Sequence, residues 1–290
     1  MSSKNVGLSI LALVIANSFW GAAFAVAKFA LQYAGPFVVL SLRFLLALAI
    51  MLPFTRQQGF RFSLLLKPRL LILGLTGITL SYGLGNSGLK YTTSGNAVLI
   101  FACAPVVTAA LSSLLLKEKL SARMVIGIAL SLAGAFIAVG IRQTDNSPML
   151  LGNALLALSM IAHSFYVVLT KRASNAHSAE ILTAVSFAGG VLCMIPLTIA
   201  EALWIEPPVF HLNGALAIVY LAAFPSALAF YLWNYGLRHI NASVAGVFMN
   251  LMPVVGLVVA FFIKEPIGIL QMIGGGIIII GVWMCASQSS

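Results

Sequence analysis

The chain has 290 residues, of which 61% are hydrophobic and only 8% are charged, and its mean hydropathy is +1.07. This composition excludes a soluble globular enzyme, a disordered chain, a coiled coil and a secreted disulfide scaffold, because ordinary soluble domains carry about 25% charged residues. The net charge of +10 then indicates basic cytoplasmic loops of a membrane protein rather than a nucleic-acid-binding surface.

Ten apolar segments follow one another along the chain, and each is long enough to cross a bilayer as a helix. The apolar runs are continuous and do not alternate, which favours helices over the strands of a membrane barrel. We therefore predict an all-α integral membrane protein with ten transmembrane helices. The predicted spans are Val6–Ala27, Pro36–Phe54, Leu70–Leu89, Thr93–Leu116, Ala122–Gly140, Leu150–Thr170, Ala179–Ala200, Leu212–Tyr235, Ala242–Ile263 and Ile267–Ala286.

The basic residues fall unevenly on the two sides of such a bundle. With the N-terminus in the cytoplasm, eleven of the 16 Lys and Arg residues flank the inner ends of the spans and four flank the outer ends. Basic residues accumulate on the cytoplasmic side of membrane proteins. We therefore predict a multi-pass protein of the cell inner (plasma) membrane with both termini in the cytoplasm.

The second half of the sequence repeats the first. Asn86-Ser-Gly-Leu-Lys-Tyr91 is similar to Asn234-Tyr-Gly-Leu-Arg-His239, and Asn17-Ser-Phe-Trp20 is similar to His163-Ser-Phe-Tyr166. Each repeat holds five spans, and because five is odd, the second repeat must enter the membrane from the opposite side. This inverted repeat is the architecture of many secondary transporters. The predicted repeats are residues 1–141 and 149–290.

One stretch in the middle of the first repeat carries a family resemblance. It comprises Leu89-Lys-Tyr-Thr-Thr-Ser-Gly-Asn-Ala97, Pro105 and Lys117-Glu118-Lys-Leu120. With Trp20-Gly21 and Arg43-Phe44 in the first two spans, it resembles the signature of the EamA family in the drug/metabolite transporter superfamily. The resemblance covers nearly the whole chain. It implies the five-plus-five plan of that family and the transport, often the export, of amino acids, nucleotide sugars, phosphorylated metabolites, purines or drugs.

Polar side chains at membrane depth are costly and are therefore candidates for function. Asn17 and His163 occupy matching repeat positions and lie about 17–20 Å along their helices, near the centre of a ~30 Å bilayer core. They either contribute to a central substrate site or form helix–helix hydrogen bonds. From its residue type, His163 is the mid-membrane side chain expected to titrate near neutral pH, so it is also the candidate for proton coupling.

Arg43 lies within the second span, where the sequence places no acidic residue to neutralise it. A guanidinium stays charged at physiological pH. A substrate carboxylate or phosphate would pair with it through two parallel hydrogen bonds. The alternative is a structural role, in which Arg43 caps helix carbonyls or pairs with a loop carboxylate.

Four aromatic residues lie too deep for the aromatic belts at the membrane interfaces. Trp20, Tyr82, Tyr166 and Tyr231 either line an amphipathic cavity or only pack between helices. Asn250 lies near the middle of the ninth span. The predicted substrate-binding residues are Asn17, Trp20, Arg43, Tyr82, His163, Tyr166, Tyr231 and Asn250.

Two pairs of equivalent residues suggest gates. Asn86 and Asn234 lie towards opposite faces of the membrane, where an amide can form a hinge or gate hydrogen bond. Pro105 and Pro253 fall within the fourth and ninth spans, where each removes a backbone hydrogen bond and bends its helix. We predict gating roles for all four.

The hairpin acids and the glycines are predicted to be structural. Glu118 and Glu265 are expected to form salt bridges with the adjacent Lys117 and Lys264. Several glycines are expected to let helices approach closely. They are Gly127, Gly134, Gly274 and Gly281.

These observations together predict a secondary transporter that exports small polar or amphipathic metabolites, such as amino acids, by alternating access. The alternatives are an uptake or exchange permease for another metabolite or drug, a channel, or an intramembrane enzyme. An enzyme has little support, because the sequence has no HExxH motif and no paired aspartates at membrane depth. No Walker A sequence suggests direct use of ATP. The expected partners are a small-molecule substrate and the lipid bilayer, with no nucleic acid, metal or cofactor, for a monomer or weak homodimer.

Overall fold

The computed structural model describes residues 3–139, 147–209, 211–262 and 268–287, which form helices and no strand. Ten helical spans within these ranges follow the ten predicted segments, so the all-α prediction is confirmed. Eight of the helices are long and apolar enough to cross a membrane, and Ala122–Ala138 and Ala242–Val255 are shorter apolar helices. The spans are α1 (Ser3–Ala30), α2 (Pro36–Gln57), α3 (Pro68–Leu89), α4 (Ser94–Phe101 and Ala104–Leu116), α5 (Ala122–Val139), α6 (Ser147–Ala173), α7 (Ala179–Ile205), α8 (Leu212–His239), α9 (Ala242–Val247, Phe248–Asn250 and Leu251–Phe262) and α10 (Ile269–Ala286).

The outer surface of the bundle is apolar. Large hydrophobic side chains such as Leu114, Leu150 and Ile280 are more than half exposed. In a soluble protein such a surface would be an aggregation hazard, whereas in a bilayer it contacts lipid tails. The structure thus agrees with the bilayer partner that the composition predicts.

The helices of one half pack on those of the other half in equivalent pairs, as expected for two repeats related by a two-fold axis. α3 packs on α6 as α8 packs on α1, and α4 packs on α6 as α9 packs on α1. The equivalent helices α3 and α8 run in opposite directions, because the end of α3 lies beside the start of α6 while the end of α8 lies beside the end of α6. The inverted repeat is therefore a property of the structure. The exact repeat boundary stays a prediction, since residues 140–146 lie outside the described ranges.

α5 and α10 pack on each other through the four glycines that the sequence singles out. A β-carbon on Gly134 would lie 2.7 Å from the Gly274 carbonyl oxygen, and one on Gly281 would lie 2.6 Å from that of Gly127. Neither distance leaves room for a methyl group. The prediction that these glycines allow close helix approach is confirmed.

Both prolines that were predicted to bend helices lie beside interruptions. α4 is broken by a turn before Ala104, so that Pro105 stands at the start of its second part. α9 passes through a 3₁₀ turn, Phe248–Asn250, just before Pro253. α8 also changes to a π-helical segment, Ala222–Leu228, that contains a proline. A proline removes one backbone hydrogen bond of its helix, which favours such departures from regular α-helix.

Lys90 and Lys171 lie at opposite ends of the bundle, which are called the Lys90 end and the Lys171 end. At the Lys90 end, where α1 and α3 end, Lys90 forms an ion pair with Glu206. At the Lys171 end, where α6 and α8 end, Lys171 Nζ donates to the carbonyl of Leu237 at 2.7 Å. The ion pair at the Lys90 end joins the two halves, whereas the hydrogen bond at the Lys171 end joins two helices of the second half.

Glu118 does not form the predicted hairpin salt bridge. Its carboxylate accepts hydrogen bonds from the backbone amides of Ala242 at 2.9 Å and Ser243 at 3.2 Å, and from the Ser243 hydroxyl. It therefore caps the N-terminus of α9, where the helix dipole favours a negative charge. Lys264 and Glu265 lie outside the described residues.

Candidate substrate cavity

A cavity of about 570 Å³, including the space at its opening, lies between the two halves. The cavity extends from the middle of the bundle towards the Lys90 end, because Ala27 and Leu89 in the last turns of α1 and α3 line it. Five of the predicted residues line it as well, and they are Trp20, Arg43, Tyr82, Asn86 and His163.

Arg43 is the charged group of the cavity wall. Its side chain is 2% exposed, and its Nε donates to the Ser226 hydroxyl in the π-helical part of α8 at 2.6 Å. The guanidinium carbon lies 4.9 Å from the ring centre of Tyr82 and 5.1 Å from that of Phe44. Its Nη2 is buried and has no hydrogen-bond partner. The guanidinium is thus held by one hydroxyl and two rings, and its Nη2 has no hydrogen-bond partner among the described residues.

An aromatic cluster forms the inner wall. Trp20 Nε1 donates to the carbonyl of Pro225 at 2.8 Å, in the same π-helical segment that holds Arg43. The Trp20 ring stands at right angles to that of His163, with 5.8 Å between ring centres, and Phe101 lies 6.2 Å from His163. His163 Nε2 is buried without a hydrogen-bond partner. One segment of the second half therefore orients two side chains of the first half.

The remaining predicted substrate-binding residues do not line this cavity. Asn17 donates to the carbonyl of Leu13 in its own helix, although its repeat mate His163 reaches the cavity. Asn250 donates to Ser131 of α5 at 2.8 Å. Tyr231 is half-buried and has the ring of Tyr235 as its described aromatic neighbour, at 6.5 Å.

The two candidate gate asparagines differ in their contacts. At the Lys171 end, the Tyr166 hydroxyl donates to Asn234 Oδ1 at 3.1 Å, and Asn234 Nδ2 donates to Thr183 at 2.9 Å. All three side chains are fully buried. Asn86, the repeat mate of Asn234, lines the cavity instead, and its Nδ2 has no partner. The two repeats therefore differ at this position, because Asn234 is held by two hydrogen bonds at the Lys171 end, whereas Nδ2 of Asn86 is unpaired.

The same asymmetry holds for the cavity wall. Tyr82 lines the cavity and is partly exposed, whereas its repeat mate Phe230 is fully buried. Leu89 also lines the cavity but is as buried as its repeat mate Leu237. The two halves therefore differ at the position of Tyr82, where only the side chain of the first half reaches the cavity.

Sequence reasoning missed the partner of Arg43 and part of the cavity wall. Ser226, which accepts from Arg43 without lining the cavity, could have been found, because it is a polar residue within the eighth span that follows a proline. Phe101, Met249 and Met252 also line the cavity, and in an apolar span nothing in their type or spacing distinguishes them from lipid-facing residues.

Comparison with known proteins finds similarity to one family of membrane transporters. The sequence model of the EamA-like transporter family matches residues 7–140 and again residues 150–287. The chain is 31% identical to the uncharacterized transporter YyaM of Bacillus subtilis, over 97% of this chain and 93% of that protein. It is 29% identical to an uncharacterized transporter of Archaeoglobus fulgidus, over 99% of both chains.

Two more distant comparisons add detail. A protein of Streptantibioticus cattleyicolor named "Probable terminal-alkyne amino-acid exporter" is 26% identical over 75% of this chain and 72% of its own length. One crystal structure, at 21% identity, covers 100% of this chain and 98% of its own with a TM-score of 0.80. The structural likeness supports the fold alone.

Proposed function

The chain belongs to the EamA-like transporter family and is a multi-pass membrane transporter, and from that premise we propose that it exports small amphipathic metabolites, such as amino acids, by alternating access. The observation that carries the proposal is Arg43. A buried guanidinium with a free Nη2 lies in a cavity between the inverted halves, which is where secondary transporters bind substrate. A substrate carboxylate would complete the pairing of Arg43.

The asymmetry of the two ends supports alternating access. The cavity extends towards the Lys90 end, and the Tyr166–Asn234–Thr183 hydrogen bonds lie towards the Lys171 end. With both termini in the cytoplasm, as the basic residues favour, the structure corresponds to an outward-open conformation. Exchange of the roles of the two halves would give the inward-open one.

Export of an amino acid finds support in one relative, the exporter of Streptantibioticus cattleyicolor. Uptake or exchange is the second candidate. Vesicles with a single protein orientation and an imposed ion gradient separate the two, because net accumulation of substrate on the side of the Lys90 end indicates export and net accumulation on the side of the Lys171 end indicates uptake.

The test is efflux from proteoliposomes loaded with a pooled metabolite mixture, followed by mass spectrometry. Wild-type protein is compared with Arg43→Gln, with Arg69→Gln as the matched loss of an exposed arginine, and with empty vesicles. Selective efflux of a carboxylate-bearing amphiphile that Arg43→Gln abolishes and Arg69→Gln preserves is the expected result. Equal efflux from Arg43→Gln vesicles would contradict the role of Arg43 in the site.

Proton coupling, if the transporter uses it, is assigned to His163. This side chain lines the cavity together with Arg43 and is surrounded by the rings of Trp20, Phe101 and Tyr166. His163→Gln keeps a hydrogen-bonding group of related size but cannot titrate. We expect the variant to lose the pH dependence of efflux, and an unchanged pH profile would contradict the assignment.

A further inference from the structure

Three buried nitrogens of the cavity wall have no hydrogen-bond partner. Arg43 Nη2 and Asn86 Nδ2 can only donate, whereas His163 Nε2 donates or accepts according to its tautomer. A buried donor that stays unpaired is destabilising, so a ligand that brings acceptors recovers this loss. The Ser159 hydroxyl, which also lines the cavity, is already used as a donor to the Ser81 carbonyl.

The described acidic residues are all placed elsewhere. Glu201 accepts from the Val38 amide, Glu118 caps α9, Glu206 pairs with Lys90, and Glu180 lies in the first turn of α7. None of these four carboxylates lines the cavity. The substrate's ammonium group would therefore find no carboxylate partner among the described cavity residues.

The aromatic walls do not replace a carboxylate as a cation site. The Tyr82 ring already carries the Arg43 guanidinium, with 4.9 Å from the guanidinium carbon to the ring centre. A second cation in the same cavity would be repelled by Arg43, because charges that are buried in a protein are screened much less than charges in water. The ring faces therefore favour an apolar group over an ammonium.

From these three observations we propose that the site selects amphipathic monoanions, with one carboxylate and an aromatic or bulky apolar group, over zwitterions and cations. This inference rests on the proposed export of amphipathic metabolites, and within that class it replaces free amino acids by acids that lack the ammonium group. The carboxylate would accept from Arg43 and Asn86, and the apolar group would lie against Trp20, Phe101 and Met252. One guanidinium neutralises one negative charge, so the second negative charge of a dianionic phosphate would stay uncompensated. Among products of amino-acid metabolism, deaminated or N-acylated acids fit this chemistry better than free amino acids.

The experiment uses three compounds that share a phenylethyl group. 3-Phenylpropanoate is the anion, L-phenylalanine adds an ammonium to the same acid, and 2-phenylethylamine replaces the carboxylate by an ammonium. Calorimetry measures their binding to the full-length protein in nanodiscs. Binding is the readout because the neutral form of a carboxylic acid crosses lipid unaided.

The expected order is 3-phenylpropanoate first, with an affinity at least tenfold above that of L-phenylalanine, about 1.4 kcal/mol, and no measurable binding of 2-phenylethylamine. Arg43→Lys, which keeps the charge but loses the planar fork, is expected to keep this order at lower affinity. The wild-type ranking does not depend on any variant folding correctly.

Binding of L-phenylalanine or 2-phenylethylamine as tightly as the anion would overturn the proposal, and so would the absence of binding for all three compounds. Efflux from the metabolite-loaded vesicles separates this failure from failure of the proposed function. If those vesicles export another compound, the transporter role stands and only the assigned substrate class is wrong. If they export nothing, the proposed export function fails as well.

Discussion

The Asn234 hydrogen bonds are expected to hold the Lys171 end closed. Asn234→Ala removes both the bond from Tyr166 and the bond to Thr183. Each buried hydrogen bond contributes about 1 kcal/mol net, so the closed conformation loses about 2 kcal/mol. At about 1.4 kcal/mol for each factor of ten, the equilibrium moves about 30-fold towards opening. Tyr166→Phe removes one bond and is expected to move it about fivefold.

Cysteine labelling measures this shift. In a background without the three native cysteines, Leu237→Cys places a thiol at a fully buried position of the Lys171 half. A polar maleimide reacts with it only when this end opens, so that its rate is proportional to the open population. In nanodiscs, where the reagent reaches both ends, Asn234→Ala is expected to raise that rate up to 30-fold. The labelling rate of Leu89→Cys, in the cavity wall, is expected to be no higher with Asn234→Ala than without it.

A matched control separates gating from a general loss of stability. Asn250→Ala also removes a fully buried amide and its hydrogen bond, of 2.8 Å to Ser131, but it lies away from the gate. It is expected to leave the labelling of Leu237→Cys unchanged. Equal acceleration by Asn250→Ala and Asn234→Ala, or none by Asn234→Ala, would refute the reasoning.

Three further substitutions test the contacts that support the cavity and the bundle. Ser226→Ala removes the acceptor that orients the buried guanidinium, and it is expected to weaken 3-phenylpropanoate binding about tenfold, ~1.4 kcal/mol. Ser226→Thr keeps the hydroxyl and is expected to restore the affinity. Calorimetry in nanodiscs measures both affinities, and an unchanged affinity in Ser226→Ala would contradict the role of this hydrogen bond. Glu118→Gln removes the charge that caps α9 and is expected to cost about 1–2 kcal/mol of the closed conformation, seen as faster thiol labelling at the Lys171 end. Gly134→Ala places a methyl against the carbonyl of Gly274 and is expected to cost about 1–3 kcal/mol in a denaturation assay, whereas Gly276→Ala, which has no atom within 4 Å of its new β-carbon, is expected to cost nothing from steric overlap.

The sequence by itself determined the architecture. Ten continuous apolar segments require helices in a bilayer, because only helices satisfy their own backbone there. Two halves with an odd number of spans require an inverted repeat, and the glycines at matching positions in α5 and α10 indicated where helices meet. These conclusions depend on local composition and on counting, and both are present in the linear chain.

Only the tertiary structure decided which polar residues meet. Arg43 and Ser226 are 183 residues apart, yet they form a 2.6 Å hydrogen bond. Asn17 and His163 are equivalent in sequence, and only His163 lines the cavity. A helix that is apolar on all sides carries no signal for its rotation about its own axis, so the sequence does not reveal which face turns inward. The difference between Asn86 and Asn234 has a related cause, because two equivalent halves occupy different conformations in one structure and no linear pattern encodes which end is open.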